Sequence, residues 1–116
     1  MTEADQAAPQ LEAPPGACDT HIHVYDPKYP IAPTAVSALP AASLDDYRKV
    51  QRRLGIERAV IVQPTAYGAD NRCTLEGIAR HGLDRTRGIA MVTEQVSHTE
   101  LETLTRGACG ARASTC

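Results

Sequence analysis

Polar and apolar residues alternate along the stretch CDTHIHVYD, which runs from Cys18 to Asp26. This period of two predicts a β-strand, because successive side chains of a strand point to opposite faces. Small and apolar side chains share one predicted face, at Cys18, Thr20, Ile22 and Val24. The other predicted face carries Asp19, His21, His23 and Tyr25. Two imidazoles on one face indicate either a reactive site or a polar surface that faces water.

Further strands and helices are predicted downstream. Apolar residues recur at helical spacing between a cap at Ser43 and a stop at Gly55, which predicts a helix over about residues 44–54. The β-branched run RAVIVQP predicts a strand buried on both faces. In ADNRCTLEGIARHG, Asp70 or Asn71 is expected to cap a second helix. RGIAMV then predicts a strand, and SHTELETL a third helix with a capping box.

The order of these elements is strand, long loop and helix, followed by two strand–helix pairs. A repeat of about 30 residues of this kind is typical of parallel βαβ units. A doubly wound sheet and a (β/α)8 barrel both fit it. The first turn lacks the glycine-rich phosphate loop common in doubly wound sheets, and a barrel needs about 250 residues where the chain has 116.

Composition excludes several classes of function. With 42% hydrophobic residues, 4 Tyr, no Phe and no Trp, the core must be aliphatic. A net charge of -2 gives no reason to expect nucleic-acid binding. No run reaches the roughly 20 apolar residues of a membrane helix. The four cysteines have no Cys-x-x-Cys spacing and no secretory signal precedes them, so we expect reduced thiols, no structural zinc and a cytoplasmic location.

The chain divides into three predicted parts. Residues 1–16 are rich in Pro, Ala and acids and predict a disordered lead-in. Residues 17–104 hold the βα units, including a loop with four prolines after the first strand. Residues 105–116, TRGACGARASTC, show neither helical nor strand periodicity, and no regular structure is expected there.

Three segments together resemble the amidohydrolase-related metal hydrolases, in the branch of 2-pyrone-4,6-dicarboxylate lactonases and D-galactarolactone isomerases. They are GACDTHIHVYDPKYP, DYRKVQRRLGIERAVIVQPTAYGADNRCTLEGIARHG and RGIAMV, and the resemblance covers about residues 16–104. It implies an incomplete (β/α)8 TIM barrel of about the first three βα units, with the active site at the C-terminal ends of the strands.

Within this resemblance, His21 and His23 match the His-x-His pair of strand one. They would be catalytic and metal-binding residues, and zinc or manganese suits imidazole ligands. Some similar lactonases work without metal and use the pair to polarise a carbonyl, so both possibilities stay open. A further histidine and the aspartate base of the family would follow residue 116. We therefore expect this chain to be the inactive N-terminal part of a hydrolase.

The resemblance also suggests substrate contacts. Gln63, Thr65 and Tyr67 follow the second strand and could bind the oxygens of a small carboxylated lactone, although Thr65 and Tyr67 could equally shape the turn. Asp19 is expected to orient an imidazole or to cap a backbone amide. Helix capping is favoured over ligand binding for Asn71, and solvent exposure is expected at two further positions, His81 and His98.

The tail departs from the fourth strand of the family, which is similar to Leu-His-x-x-Gly-Val-Arg-Gly-x-Arg-Phe-Asn. Codons compatible with residues 105–116, read one base earlier, permit His-Ala-Arg-Gly-Val-Arg-Gly-Ala-Arg-Phe-Asn-Leu. A frameshift near residue 104 is therefore expected, and a natural short tail is the alternative. Beside the hydrolase, the other functional hypothesis is a non-catalytic module that pairs with another chain through exposed strand edges.

Overall fold

A computed structural model describes residues 9–35 and 39–113 of the chain. The regular elements, in chain order, are β1 (Cys18–Ile22), α1 (Leu44–Leu54), β2 (Arg58–Val62), a 3-10 turn (Thr65–Tyr67), α2 (Arg72–His81), β3 (Thr86–Val92), α3 (His98–Arg106) and β4 (Cys109–Ala113). Half of the predicted disordered lead-in, residues 1–8, lies outside the described residues. None of the described helices is long and apolar enough to cross a membrane.

The four strands form one parallel sheet in the order β1-β2-β3-β4. In a doubly wound sheet the spatial order of the strands reverses at a switch point. Here each strand lies beside the next one in sequence. Right-handed crossovers between consecutive neighbours place all connecting helices on the same face of the sheet. The chain is thus an α/β fold with the topology of a partial (β/α)8 barrel, as predicted, and its described residues contain four parallel strands.

The helix ends follow local signals. Ser43 accepts a hydrogen bond from the Asp46 amide, and the Asp46 side chain accepts one in return from the Ser43 amide, which forms the capping box of α1. Gly55 ends α1 in the left-handed conformation with φ of 70°. Ser97 caps α3 through the Glu100 amide. These predicted boundaries are confirmed.

The core lies between the helices and one face of the sheet. It is mainly aliphatic, and its buried strand residues are Ile22, Ala59, Ile61, Ala90, Val92 and Cys109, joined by Val24 just after β1. Val60 and Val62 face the other way and are only half-buried. The prediction that β2 is buried on both faces is therefore wrong for this structure, because no described element covers the second face of the sheet.

The fourth strand corrects the prediction that the tail has no regular structure. Cys109–Ala113 pairs with β3 in register from Gly88↔Cys109 to Val92↔Ala113. Strand formation here depends on backbone hydrogen bonds to β3 rather than on a side-chain pattern. Gly88 allows the Cys109 side chain of β4 to lie close against β3, because a Cβ atom at position 88 would lie 2.6 Å from the Cys109 Sγ atom. Burial raises the pKa of the Cys109 thiol to about 11. Residues 114–116 of the tail lie outside the described residues.

Candidate active site

A β-bulge in β1 determines which side chains accompany the two histidines. Asp19 lies opposite Ala59 and Ile22 opposite Ile61, so β1 uses three steps where β2 uses two. The extra residue turns Asp19 toward the helices, where its Oδ2 atom accepts a hydrogen bond from the Tyr47 hydroxyl at 3.0 Å. The prediction that Asp19 shares a face with the histidines is therefore wrong. Its Oδ1 atom lies 3.4 Å from the amide nitrogen of His21, which fits the expected capping of a backbone amide.

The structure brings His21 and His23 together on the face of the sheet opposite the helices. Ile22 and Val24, which alternate with them, are 8% and 2% exposed, whereas both histidines are exposed. The two rings stand edge to face, with centroids 5.1 Å apart. Both lie where the chain leaves β1, at the C-terminal rim of the sheet.

The second imidazole is oriented by the neighbouring strand. His23 Nδ1 lies 2.8 Å from the carbonyl oxygen of Val62, the last residue of β2. A carbonyl oxygen only accepts hydrogen bonds, so Nδ1 carries the proton in this contact. In the neutral ring, Nε2 then holds a free lone pair. This arrangement is typical of histidines that bind a metal or take up a proton through Nε2.

Gln63 belongs to the loop scaffold after β2. It is 5% exposed. Its Nε2 atom donates to the carbonyl oxygens of Gly68 at 2.9 Å and Asp70 at 2.8 Å. Its Oε1 atom accepts from the Thr74 hydroxyl at 2.6 Å. These hydrogen bonds hold the β2–α2 loop against α2, because a buried amide must be paired. A contact of Gln63 with substrate stays a prediction.

Tyr67 likewise supports a loop. It is 1% exposed, and its hydroxyl accepts from the Asp26 amide at 2.9 Å and donates to the Asp26 carbonyl at 2.8 Å. These bonds fasten the segment that follows β1 onto the turn that follows β2, and burial raises the pKa of the Tyr67 phenol. Tyr67 thus shapes the turn, one of its two predicted roles, and a contact with substrate stays a prediction. Of the three predicted substrate-binding residues, only Thr65 is exposed.

Asn71 and His81 have roles that differ from those predicted. The Asn71 side chain does not cap α2; its Nδ2 donates to the Met91 carbonyl at 2.8 Å and its Oδ1 accepts from the Met91 amide at 2.9 Å. His81 is buried, between Thr86 Oγ1 at 2.6 Å and Gln51 Oε1 at 2.8 Å. Burial lowers the pKa of His81, with smaller contributions from the positive charges of Arg48 and Arg85.

These contacts reach 20 and 30 residues along the chain, and no local pattern indicates them. His98 is exposed on α3, as expected. Among residues 9–35 and 39–113, no group of three or more His, Cys, Asp and Glu side chains is placed to hold a metal ion. The two histidines of β1 therefore stand in this structure as two potential ligands at the rim of the sheet.

Residues 18–115 match the protein family described as amidohydrolase. The chain belongs to the amidohydrolase family. This membership confirms the resemblance that the sequence motifs indicated, and the match includes both histidines and all four strands.

The relatives that this chain matches are longer proteins. It is 38% identical over 102 residues to a 4-sulfomuconolactone hydrolase of Hydrogenophaga intermedia, a match that covers 85% of this chain and 33% of that protein. It is 36% identical over 103 residues to a 2-pyrone-4,6-dicarboxylate hydrolase of Comamonas testosteroni, over 87% of this chain and 33% of that protein. The chain spans about a third of the length of these curated relatives.

The fold is also similar to that of a solved protein. An apo crystal structure from Agrobacterium tumefaciens superposes with a TM-score of 0.81 at 33% identity, over 91% of this chain and 39% of that one. This chain therefore corresponds in fold to about two fifths of that longer protein.

Proposed function

We propose that His21 and His23 belong to the catalytic site of an amidohydrolase-type enzyme that hydrolyses a lactone, or a related carbonyl, of a small carboxylated substrate. The observation that carries the proposal is the pairing of the two imidazoles on one face of β1, with His23 held by the Val62 carbonyl at 2.8 Å. The relatives named as lactone and pyrone hydrolases support this class of substrate.

Divalent zinc or manganese fits the two residues as part of its ligand set. The Nδ1 proton of His23 is already committed to a carbonyl, so its Nε2 atom is free to bind a cation, and His21 is near enough to contribute a second nitrogen. A bound cation would polarise a carbonyl or acidify a water molecule. A catalytic zinc site normally has three protein ligands, so the pair supplies only part of the set.

The chain's own residues would also orient the substrate without metal. His21 at the rim can donate a hydrogen bond to a lactone carbonyl, and His23 can do so from Nε2 only when its ring carries a second proton, because its Nδ1 proton is donated to Val62. Such a hydrogen bond stabilises negative charge that develops on the carbonyl oxygen. Thr65, exposed after β2, offers a hydroxyl at the same end of the sheet. Gln63 and Tyr67 would act indirectly, by holding the loops around this rim. A cytoplasmic location, supported by free thiols at Cys18, Cys73 and Cys109, stays part of the proposal.

Zinc titration of the 116-residue chain, followed by calorimetry, tests the role of the pair. We expect saturable binding that His23→Ala abolishes and that His98→Ala leaves unchanged, because His98 lies exposed on α3. The same titration with manganese distinguishes the two metals. Equal binding by both variants and the wild type would remove the metal from the proposal and leave carbonyl polarisation as the role of the histidines.

A lactone-hydrolysis assay with and without zinc tests catalysis itself. We expect no turnover by this chain, since Asp19, the carboxylate next to the pair in sequence, faces the helices and accepts a hydrogen bond from Tyr47, and a positioned base is worth about 10²–10⁴ in rate. Turnover that His23→Ala abolishes would show instead that the chain is catalytically sufficient.

The alternative function, a non-catalytic module that binds another chain, is favoured by the open edges at β1 and β4.

A further inference from the structure

The bulge in β1 reverses which side chains of the strand face the helices. Before the bulge, Asp19 is half-buried and turned toward the helices; after it, Ile22 and Val24 occupy the helix side. Thr20 and His21 are both exposed, although neighbours in a regular strand point to opposite faces. A regular strand that continued from Asp19 would turn both histidines toward the helices, because residues two apart share a face. The bulge therefore places the imidazoles on the opposite face.

One carboxylate holds the strand before the bulge in this orientation. The Oδ2 atom of Asp19 accepts a hydrogen bond from the Tyr47 hydroxyl at 3.0 Å, and its Oδ1 atom lies 3.4 Å from the amide nitrogen of His21. A carboxylate turned toward a packed face needs such a donor, because an unpaired charge there is costly. The Asp19 side chain thus connects helix α1 to the backbone of the first histidine.

Tyr47 is itself fixed on the inward side of α1. It lies one turn from Leu44 and Gln51, the buried residues of this helix. Its ring centroid lies 6.4 Å from that of His81, which is buried and lies 2.8 Å from Gln51 Oε1 through its Nε2 atom. Burial, and then the hydrogen bond to Asp19, raise the pKa of the Tyr47 phenol, so the hydroxyl remains a donor at neutral pH.

We propose that Tyr47 is a positioning residue for the imidazole pair, and that through Asp19 it fixes the bulge that sets His21 beside His23. Bulges next to active sites re-aim side chains in this way. Without the donor, the strand before the bulge would relax to a regular strand, because turning Asp19 outward leaves the apolar residues after the bulge buried. The carboxylate would then lie on the histidine face, and His21, which adjoins the bulge, would move relative to His23. The inference rests on the proposed function only in taking the pair as a ligand site.

Zinc affinity of the 116-residue chain, measured by calorimetry, tests this role with Tyr47→Phe. We expect the dissociation constant to rise about 10- to 100-fold, the usual effect of losing a group that orients a metal ligand. Tyr29→Phe is the matched control, because it also removes a hydrogen bond between a tyrosine and a carboxylate, from the Tyr29 hydroxyl to Glu76 Oε2 at 2.6 Å, outside β1. It should bind zinc like the wild type. Equal weakening by both variants would overturn the proposal.

Asp19→Ala breaks the same hydrogen bond from the side of the strand. If Tyr47 acts through Asp19, this variant should weaken zinc binding at least as much, and adding Tyr47→Phe to it should have no further effect. Additive losses in the double variant would show two independent effects and overturn the proposal. Circular dichroism checks that each variant folds. Failure of both single variants to fold would make the bond a stabilising contact only, which likewise overturns the proposal.

A measurement without metal separates this inference from the proposed function. The ring centroids of His21 and His23 are 5.1 Å apart, so their ring protons should give a nuclear Overhauser effect in the metal-free chain. We expect the effect in the wild type and in Tyr29→Phe, and its loss in Tyr47→Phe. A wild-type chain that shows this difference and binds no zinc would contradict the metal role of the pair and support the positioning role. An unchanged effect in Tyr47→Phe would overturn the positioning role.

Discussion

His23 donates a hydrogen bond from Nδ1 to the carbonyl oxygen of Val62, across 2.8 Å and 39 residues of sequence. The bond joins the rim of β1 to the last residue of β2, so the sheet itself sets the tautomer of the ring. A histidine whose Nδ1 proton is bonded in this way leaves the Nε2 lone pair available to a ligand at the rim.

Nitrogen-15 NMR of the histidine rings should therefore distinguish His23 from His98. At a pH where both are neutral, His23 is expected as the Nδ1–H form, because only that form donates to Val62. The exposed His98 has a carboxylate oxygen of Glu102 at 3.2 Å from its Nε2 atom and should favour the Nε2–H form instead. A predominant Nε2–H signal for His23 would contradict this orientation.

Replacing Gln63 by alanine should destabilise the chain by about 2–4 kcal/mol, because the Gly68 and Asp70 carbonyls and the Thr74 hydroxyl lose their partner. Urea unfolding followed by circular dichroism measures the loss. Thr65→Ala, two residues away and exposed, is the matched control and should stay within about 0.5 kcal/mol. An unchanged midpoint for Gln63→Ala would indicate that the amide is free for substrate after all.

Stability should fall as the pH decreases below the ordinary His pKa of 6.5, because His81 is neutral in the folded chain. Burial, and then Arg48 and Arg85, lower its folded pKa, while Asp84 opposes them weakly. The unfolded chain thus binds a proton at a pH where the folded chain does not, and the stabilisation is fully present above pH 6.5 and lost toward the folded pKa.

Urea midpoints between pH 5 and 8 measure this dependence, and His81→Gln should reduce its slope. The carboxyls of Asp46, Asp70 and Glu76 have lowered pKa values from their hydrogen bonds, so their contributions are lost only below their ordinary values of 3.8 to 4.5. The same slope in the wild type and in His81→Gln would exclude His81 as its source.

Gly88→Ala should destabilise the pairing of β3 with β4 by about 1–3 kcal/mol, the usual cost of overpacking. The added Cβ atom would meet the Ile78 Cδ1 atom, and it would lie 2.6 Å from the Cys109 Sγ atom. Gly110→Ala, on the neighbouring strand, is the control, because its added Cβ has no atom within 4 Å. Thermal unfolding of the two variants checks the difference, and equal midpoints would contradict this packing.

The frameshift hypothesis predicts a specific nucleotide sequence. The codons of residues 105–115 should, one base earlier, encode His-Ala-Arg-Gly-Val-Arg-Gly-Ala-Arg-Phe-Asn, and that frame should stay open for about 150 further codons, as barrel length requires. Resequencing the gene tests this directly. Stop codons in that frame close to the codon of Cys116 would remove the hypothesis.

Local signals in the sequence predicted most elements of the fold. The capping box of Ser43 and Asp46, the stop at Gly55 and the cap at Ser97 act within four residues of the helix ends they define. The alternation of polar and apolar residues that placed the two histidines on one strand face is also a local signal. Such features are set by backbone sterics and by hydrogen bonds to near neighbours, so one segment contains the whole signal.

Tertiary structure decided which side chains are free for chemistry. The bulge that turns Asp19 toward Tyr47 depends on pairing with β2, and the bonds that occupy Gln63 depend on how the loop before α2 folds back. β4 exists because β3 offers an edge, although its own residues carry no strand pattern. Each outcome depends on backbone pairing or on hydrogen bonds across a fold, and a polar residue's partner in space leaves no periodicity in the sequence.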